Sequence, residues 1–418
     1  MSGGPQHTPV RTALIGAGGF GGTHLERLRA FPCRQSCELV AVADPRFAWP
    51  DPLGEDLRAA GLRLYPDIHA LLEAECARGL EAVVISTPIP LHYEMARACM
   101  ERGLAVLLEK PPVPMLEQLD DLLALPGHER VAVSFQRIVS EPVRQMKRWI
   151  VEGRLGELRN LRTHACWPRL DTYYTRAPWA GRMTLGEQPV FDGPATNALS
   201  HVIHHLMYLG GSEFEGFARP APDLVEGEFY RVRPGLESYD LCCLRGRLDS
   251  GVGYFAALTH AASIKTPFVV EARGERGWAR LEDSGWRLRG SWGADLHYGD
   301  DVVNAYAIVY ANLRDLVRVP GTRPATSLED ARGYLIATNL GLRASGGIRT
   351  VPVEYVSRFA LCNAAGQPGH GYCIADIRRV VETAYEHQAL FTEMDLPWAG
   401  RGGAGAILPN LLVPAVTV

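Results

Sequence analysis

The chain lacks the patterns that assign a protein quickly. None of its apolar runs approaches the roughly 18 to 20 residues of a membrane-spanning helix. No long basic or acidic block is present, and 43 Lys and Arg against 47 Asp and Glu leave a net charge of −4 with the signs intermixed. That gives no electrostatic footprint for nucleic acid or an anionic membrane surface, so the expected partner is a neutral small molecule. The nine cysteines are an odd number with no CxxC pair and no regular framework, which suits buried thiols in a reducing compartment. The N-terminus, MSGGPQHTPVRTALIGAGG, has no basic start followed by an apolar run and does not read as a secretory signal, so the expected location is cytoplasmic. Internal repeats, low-complexity segments and an HExxH pattern are missing too. What remains, 418 residues with 47% apolar and 22% charged content, is globular and large enough for two domains.

After a tail over 1–10, read as disordered, Arg11–Ile15 is a short apolar run that passes through GAGGFGG into the helical spacing of THLERLRAF. The spacing next predicts a strand at Glu38–Ala43, the loop PRFAWPDP, and a helix at Asp67–Arg78. Strands at Ala82–Ser86, Ala105–Leu108 and Val131–Phe135 then alternate with helices at Leu91–Arg102 and Met115–Ala124. That rhythm is of βαβ units on a parallel sheet, an α/β Rossmann domain over 11–135. From Gln136 it changes. A helix at Pro142–Glu152 and a strand at Leu158–Cys166 precede consecutive strand-like runs at Gly227–Arg233, Tyr239–Arg245, Gly251–Leu258 and Phe268–Arg273, with two more near Trp278 and Trp286. Strands without intervening helices predict an α+β domain over 136–350 with a large, mainly antiparallel open sheet. Helices at Val302–Val317 and Leu328–Ser345 are expected to close it. Residues 351–418, with a helix at Ile374–Leu390 and a docking strand in GAILPNLLVPAVTV, read as an extension packing back on the body.

Gly16, Gly18 and Gly21 match GxGxxG between a strand and a helix. The first glycine permits the tight turn, the second a close approach of backbone to pyrophosphate, and the third helix–strand packing, with helix N–H groups facing the anion. Asp44 ends the second strand about 23 residues after Gly21, where a carboxylate accepts hydrogen bonds from a ribose 2′-OH. This favours NAD, with NADP left open by Arg46 two residues on. The alternative is a glycine turn with no ligand. The loops Ser86–His92 and Leu108–Pro112 follow later strands, at the carboxyl edge where such sheets bind ligands. Lys110 there is either a solvated loop lysine or a donor and proton shuttle.

In NALSHVIHHLMYLGG, three histidines fall within five residues. On one helix Asn197, His201, His204 and Tyr208 share a side, Leu199, Val202, Leu206 and Leu209 the other, and His205 stands off the stripe. The turn at Asp192-Gly193-Pro194 starts this helix, with Thr196 as cap. A zinc site, a core satisfied by carbonyls and a substrate wall all remain open; no third zinc ligand stands at a recognisable spacing. The preceding loop, CWPRLDTYYTRAPWAGR, carries Arg169, Tyr173, Tyr174 and Trp179. Its aromatic faces suit the C–H faces of a sugar and its guanidinium groups suit hydroxyls or an attached carboxylate, unless the loop only caps the core or a subunit contact.

GAGGFGGTHL, VAVADP, STPIPLHYEMARACMERGLAVLLEKPPV, the FQR at Phe135–Arg137 and the helix around His201 together resemble the glucose-fructose oxidoreductase, inositol dehydrogenase and rhizopine catabolism group, the Gfo/Idh/MocA family, over roughly residues 10 to 350. The resemblance implies NAD(H) or NADP(H) held in the first domain by Gly16, Gly18, Gly19, Phe20, Gly21, Asp44, Thr87, Pro88, His92, Glu109 and Lys110. It implies redox chemistry on a sugar, cyclitol or related polyol, with Lys110 of the EKP motif catalytic and His201 its neighbour. Substrate contacts are implied for Asn197, His201 and His204, and for Arg169, Tyr173, Tyr174 and Trp179. The family's helix reads about D/N-x-G-x-H-x-x-D. Asn197 and His201 match it, whereas Leu199 replaces the glycine and His204 the second acid, which alters the charge near the lysine. A homo-oligomer, dimer or tetramer, is implied through the open sheet. Two other readings stay open: elimination or glycoside cleavage assisted by retained NAD, and a non-catalytic dinucleotide- or sugar-binding regulator.

Overall fold

The computed structural model describes residues 8–299, 302–362 and 366–400, with backbone only at 302–304. Most of the tail and the docking strand expected in GAILPNLLVPAVTV lie outside the described residues. The chain forms two compact units, one of 8–113, 117–140 and 302–331, the other of 114–116, 141–299 and 332–400.

The first unit is built on parallel strands β1 (Val10–Ile15), β2 (Cys37–Ala43), β3 (Arg63–Tyr65), β4 (Ala82–Ile85), β5 (Ala105–Leu108) and β6 (Val131–Val133), in the order β3-β2-β1-β4-β5-β6. Between them run α1 (Phe20–Arg29), α2 (Pro52–Ala59), α3 (Ile68–Cys76), α4 (His92–Met100) and α5 (Leu116–Leu123). The AVVI of β4 and AVLL of β5 are buried throughout, as a parallel sheet covered on both faces requires. Asp51 and Asp67 cap α2 and α3 by accepting from Gly54 N at 3.1 Å and Ala70 N at 2.9 Å. α2 and β3, beyond the loop PRFAWPDP, carry too little periodicity to stand out in sequence.

The second unit begins with α6 (Glu141–Val151), β7 (Leu158–Cys166), the short α7 (Asp171–Tyr174), the hairpin β8 (Thr184–Leu185) and β9 (Gln188–Pro189), and α8 (Ser200–Gly210). Then come β10 (Pro220–Arg231), β11 (Leu241–Leu248), β12 (Gly253–Thr259), β13 (Val269–Gly274), β14 (Trp278–Glu282), β15 (Arg287–Gly290) and β16 (Asp295–His297). After α9 (Val302–Arg318) the chain adds α10 (Arg332–Ala344), β17 (Ile348–Thr350), the hairpin β18 (Val356–Cys362) and β19 (Pro368–Ile374), and α11 (Ile377–His387). Nine of these strands form one sheet, β16-β15-β14-β13-β7-β12-β11-β10-β17, antiparallel except for β7 with β12 and β10 with β17.

Two expectations change here. Of the two helices expected to close this sheet, only α10 does so. α9 lies on β2, β4 and β5 of the first unit, where Tyr306 and Tyr310 are buried. Amphipathic spacing shows that a helix buries a face, not which sheet receives it. The large sheet is open-edged as expected, but the second face of its middle strands is covered. Strand alternation turns Leu161 of β7 toward α8 and Arg162 and Cys166 to the opposite face, where α11 packs. There Val381, Tyr385, Phe391 and Trp398 cover Tyr230, Leu241, Cys243 and Phe255.

Candidate functional site

In the first unit the glycine turn joins β1 to α1. Gly16 has φ +87° and a Cβ there would lie 2.5 Å from the Ser86 carbonyl oxygen, so only glycine fits. A Cβ on Gly21 would lie 2.1 Å from the Gly16 carbonyl oxygen, the close helix–strand contact that the third glycine of the motif exists to allow. α1 has neither a side-chain cap nor an acidic residue in its first turn, which leaves its N-terminal dipole for an anion. Phe20 stands half-exposed at its start and meets His24 edge-on at 5.5 Å.

Asp44 reaches this turn. Its Oδ2 accepts from Ala17 N at 2.8 Å, and its Oδ1 accepts from Arg46 N and Nε, each at 3.1 Å. The Arg46 guanidinium lies over Gly18, where a Cβ would come within 3.0 Å of it. The hydroxyl of Thr87, beside exposed Pro88, is buried with no protein partner. These features fit a dinucleotide: a turn shaped for pyrophosphate, a carboxylate at the tip of β2 and a hydroxyl left to bond.

Glu109 and His92, both expected to contact the cofactor, are buried and bonded within the protein. Glu109 Oε1 pairs with His24 Nε2 at 3.0 Å, His24 Nδ1 meets the Tyr310 hydroxyl at 2.7 Å, and Glu109 Oε2 accepts from Lys110 N at 3.1 Å. Burial alone would raise its pKa, but the His24 bond and the nearby positive charges hold it below the ordinary carboxylate value. His92 is buried, with Nδ1 at 2.8 Å from the Pro111 carbonyl oxygen and Nε2 at 2.9 Å from that of Thr87. Burial lowers its pKa against the pull of those two acceptors. Both residues therefore lie beneath the Lys110–Pro111 turn and fasten it to its neighbours.

In the second unit the sequence motif divides. Pro194–Ala198 is a π-helical turn, so Asn197 precedes α8 instead of sharing its stripe. Asn197 Nδ2 donates to Asp192 Oδ1 at 2.8 Å, and Asp192 Oδ2 accepts from Gly181 N at 2.7 Å. Phe191, just before, has φ +51°, a conformation costing a bulky residue about 1–3 kcal/mol. Gly193 is required because a Cβ would lie 2.3 Å from the Tyr239 ring. Thr196 is no cap. Its N–H donates to the Tyr239 hydroxyl at 3.1 Å and its side chain to the Phe191 carbonyl.

The expected polar face of α8 does not exist, since every residue from 200 to 210 is buried. His204 is 0% exposed with its ring 5.1 Å from Phe217, and His205 packs 6.0 Å from Phe268. His204 is thus enclosed, while His201 at 8% and Asn197 at 9% keep an edge exposed. Lys147 of α6, fully buried, donates to the carbonyls of Tyr208 at 2.5 Å and Gly211 at 2.6 Å and holds the end of α8. Among the described residues no group of three His, Cys, Asp or Glu is arranged for a metal.

Residues 10–136 match the family model described as an oxidoreductase family with an NAD-binding Rossmann fold. That segment is similar to the Gfo/Idh/MocA oxidoreductases which its motifs resemble. The inositol 2-dehydrogenase of Streptomyces avermitilis is 33% identical over 34% of this chain and 41% of the relative. That of Pseudomonas fluorescens is 28% identical over 49% and 56%, and the D-glucoside 3-dehydrogenase of Escherichia coli 30% over 36% and 42%. The chain thus spans roughly half the length of these relatives, between 41% and 56%. Among solved structures, the WlbA dehydrogenase of Bordetella pertussis aligns with a TM-score of 0.66 at 20% identity, over 81% of this chain and 95% of that one. The myo-inositol 2-dehydrogenase of Lactobacillus plantarum gives 0.61 at 18%, over 81% and 97%. At these identities the structures show a shared fold alone, over 81% of this chain.

Sequence reasoning missed the roles of His24, which the quoted GAGGFGGTHL contains, and of Tyr310 and Lys147, which no motif marks. It also missed His260, a lone histidine just beyond β12. Asp192 was visible only as a turn residue, and its neighbour Phe191 offers no sequence sign of a positive φ.

Proposed function

We propose that the protein is an NAD-dependent oxidoreductase that transfers hydride between nicotinamide and a hydroxyl or carbonyl of a sugar, cyclitol or related polyol. The observation that carries this reading is the Lys110 turn. A lysine follows β5 on the ligand-binding edge of a Rossmann sheet, its main chain held by buried Glu109, in a segment that matches an NAD-binding oxidoreductase family. The inositol and glucoside dehydrogenases among its relatives supply the substrate class.

Bound dinucleotide supplies the hydride acceptor, and the chain supplies the rest. The glycine turn and the start of α1 hold the pyrophosphate, Asp44 the ribose, and Thr87 a further hydroxyl. Lys110 exchanges the hydroxyl proton of the substrate. Asn197, oriented by Asp192, and His201 contact the substrate hydroxyls. NAD is preferred over NADP because Asp44 repels a 2′-phosphate, and Arg46, tied to Asp44, is not released to bind one.

The test is absorbance at the reduced-nicotinamide band with a panel of polyols. Lys110→Ala is expected to bind NADH as the wild type does and to lose turnover by roughly 10²–10⁴-fold. Unchanged turnover removes the lysine from the mechanism.

A further inference from the structure

The aromatic loop does not present its rings as expected. Tyr173 carries the guanidinium of Arg176 at 3.5 Å and that of Arg169 at 4.6 Å from its centre. Arg176 also lies 4.7 Å from the ring centre of Trp179, and the Lys265 ammonium 5.0 Å from that of Trp167. Faces suited to a sugar are therefore occupied by cations, which the rings hold in place.

Charge in this cluster does not balance. Arg233 is matched by Asp171 at 2.6 Å. Arg176 lies 3.9 Å from Asp192, whose oxygens already accept from Gly181 and Asn197. Arg169 and Lys265 have no carboxylate in ion-pair contact among the described residues.

Two buried polar atoms beside Tyr173 lack a protein partner, Arg169 Nε and His260 Nε2. The His260 ring lies 5.8 Å from that of Tyr173, and its carbonyl accepts from Arg169 N at 3.1 Å. His260 Nδ1 is 2.9 Å from the Trp167 carbonyl oxygen, which only accepts, so the ring proton sits on Nδ1. Burial and the charge of Arg169 hold its pKa far below the ordinary value. Nε2 then offers a lone pair to a hydroxyl, beside a guanidinium that offers N–H groups to an anion.

We propose that Arg169, Arg176 and Lys265, carried by Trp167, Tyr173 and Trp179 and flanked by His260, form a subsite for the anionic group of an acidic sugar, a carboxylate or a phosphate. This rests on the dehydrogenase reading for its sugar and replaces the neutral partner expected from overall charge. The anion takes the guanidinium fork, and a neighbouring hydroxyl donates to His260 Nε2. A neutral sugar meets the second contact and leaves the first unmet.

The experiment pairs two readouts on the full chain, quenching of tryptophan fluorescence without cofactor and reduction of NAD, using D-glucose, D-glucuronate and glucose 6-phosphate. One or both acidic sugars are expected to half-saturate quenching at a concentration about tenfold or more below glucose, with the advantage shrinking as salt rises. Arg169→Gln and Lys265→Gln should each collapse that ratio, and Arg169→Lys should restore part of it, with circular dichroism confirming the fold. A ratio near one in the wild type, or one unmoved by either glutamine variant, overturns the subsite. If acidic sugars quench selectively but none reduces NAD, the subsite stands and the hydride reading fails. If neutral sugars reduce NAD with no advantage for the acids, the hydride reading stands and the subsite falls.

Discussion

At Glu109 two requirements meet, a carboxylate removed from water and a turn that must present Lys110. His24 and Lys110 N answer both. Glu109→Gln is expected to cost about 2 to 3 kcal/mol near neutral pH, read from urea unfolding midpoints. The sign with pH follows from its depressed pKa: the stabilisation is present above the unfolded carboxylate value of roughly 4.3 and is lost as pH falls through the lower folded value. The gap between variant and wild type should therefore close in acid, and a gap that widens there contradicts the depressed carboxylate. Asp44 makes a separable prediction. Asp44→Ser removes the carboxylate and releases Arg46, so kcat/KM for NADP relative to NAD should rise by about tenfold or more, whereas an unmoved ratio excludes Asp44 from ribose selection. Both residues stand in readable motifs. The pairing of Glu109 with His24 and of His24 with Tyr310 is not readable, because contacts 85 and 286 residues apart in sequence leave no local pattern.

At the scale of elements, α8 shows where periodicity misleads. The sequence sets His, Asn and Tyr on one side and apolar residues on the other, yet α6, α10 and the sheet pack on the helix and every residue of it is buried. A period of 3.6 locates contrasts in polarity but not the number of neighbours a helix will have. The βαβ rhythm of the first unit was legible for the opposite reason, since its fully buried strands advertise themselves as apolar runs. Lys147 was hidden because MKRW in an amphipathic helix reads as surface charge. It carries the end of α8, and Lys147→Met should lower stability by roughly 2 to 3 kcal/mol and raise KM for the substrate more than for NAD. Full stability in that variant means the carbonyls of Tyr208 and Gly211 are satisfied without the lysine.

For the molecule as a whole, residues 351–400 decide what the large sheet can do. The resemblance implies a subunit contact on that sheet, but here the chain covers the face itself with α11 and the segment through Trp398. The β18–β19 hairpin also reaches the aromatic loop, where a Cβ on Gly369 would lie 3.2 Å from the Leu170 side chain. Truncation after residue 350 should uncover Tyr230, Leu241 and Phe255 and cause association or loss of solubility on size exclusion. A truncated chain with unchanged mass and stability contradicts that covering role. No helix among the described residues is long and apolar enough to cross a membrane. The central claim is hydride transfer, and a sugar or cyclitol deuterated at its carbinol carbons tests it most directly. The account predicts that mass spectrometry finds the deuterium on the nicotinamide ring after incubation with the protein and NAD. Substrate bound and nicotinamide left unlabelled would contradict it.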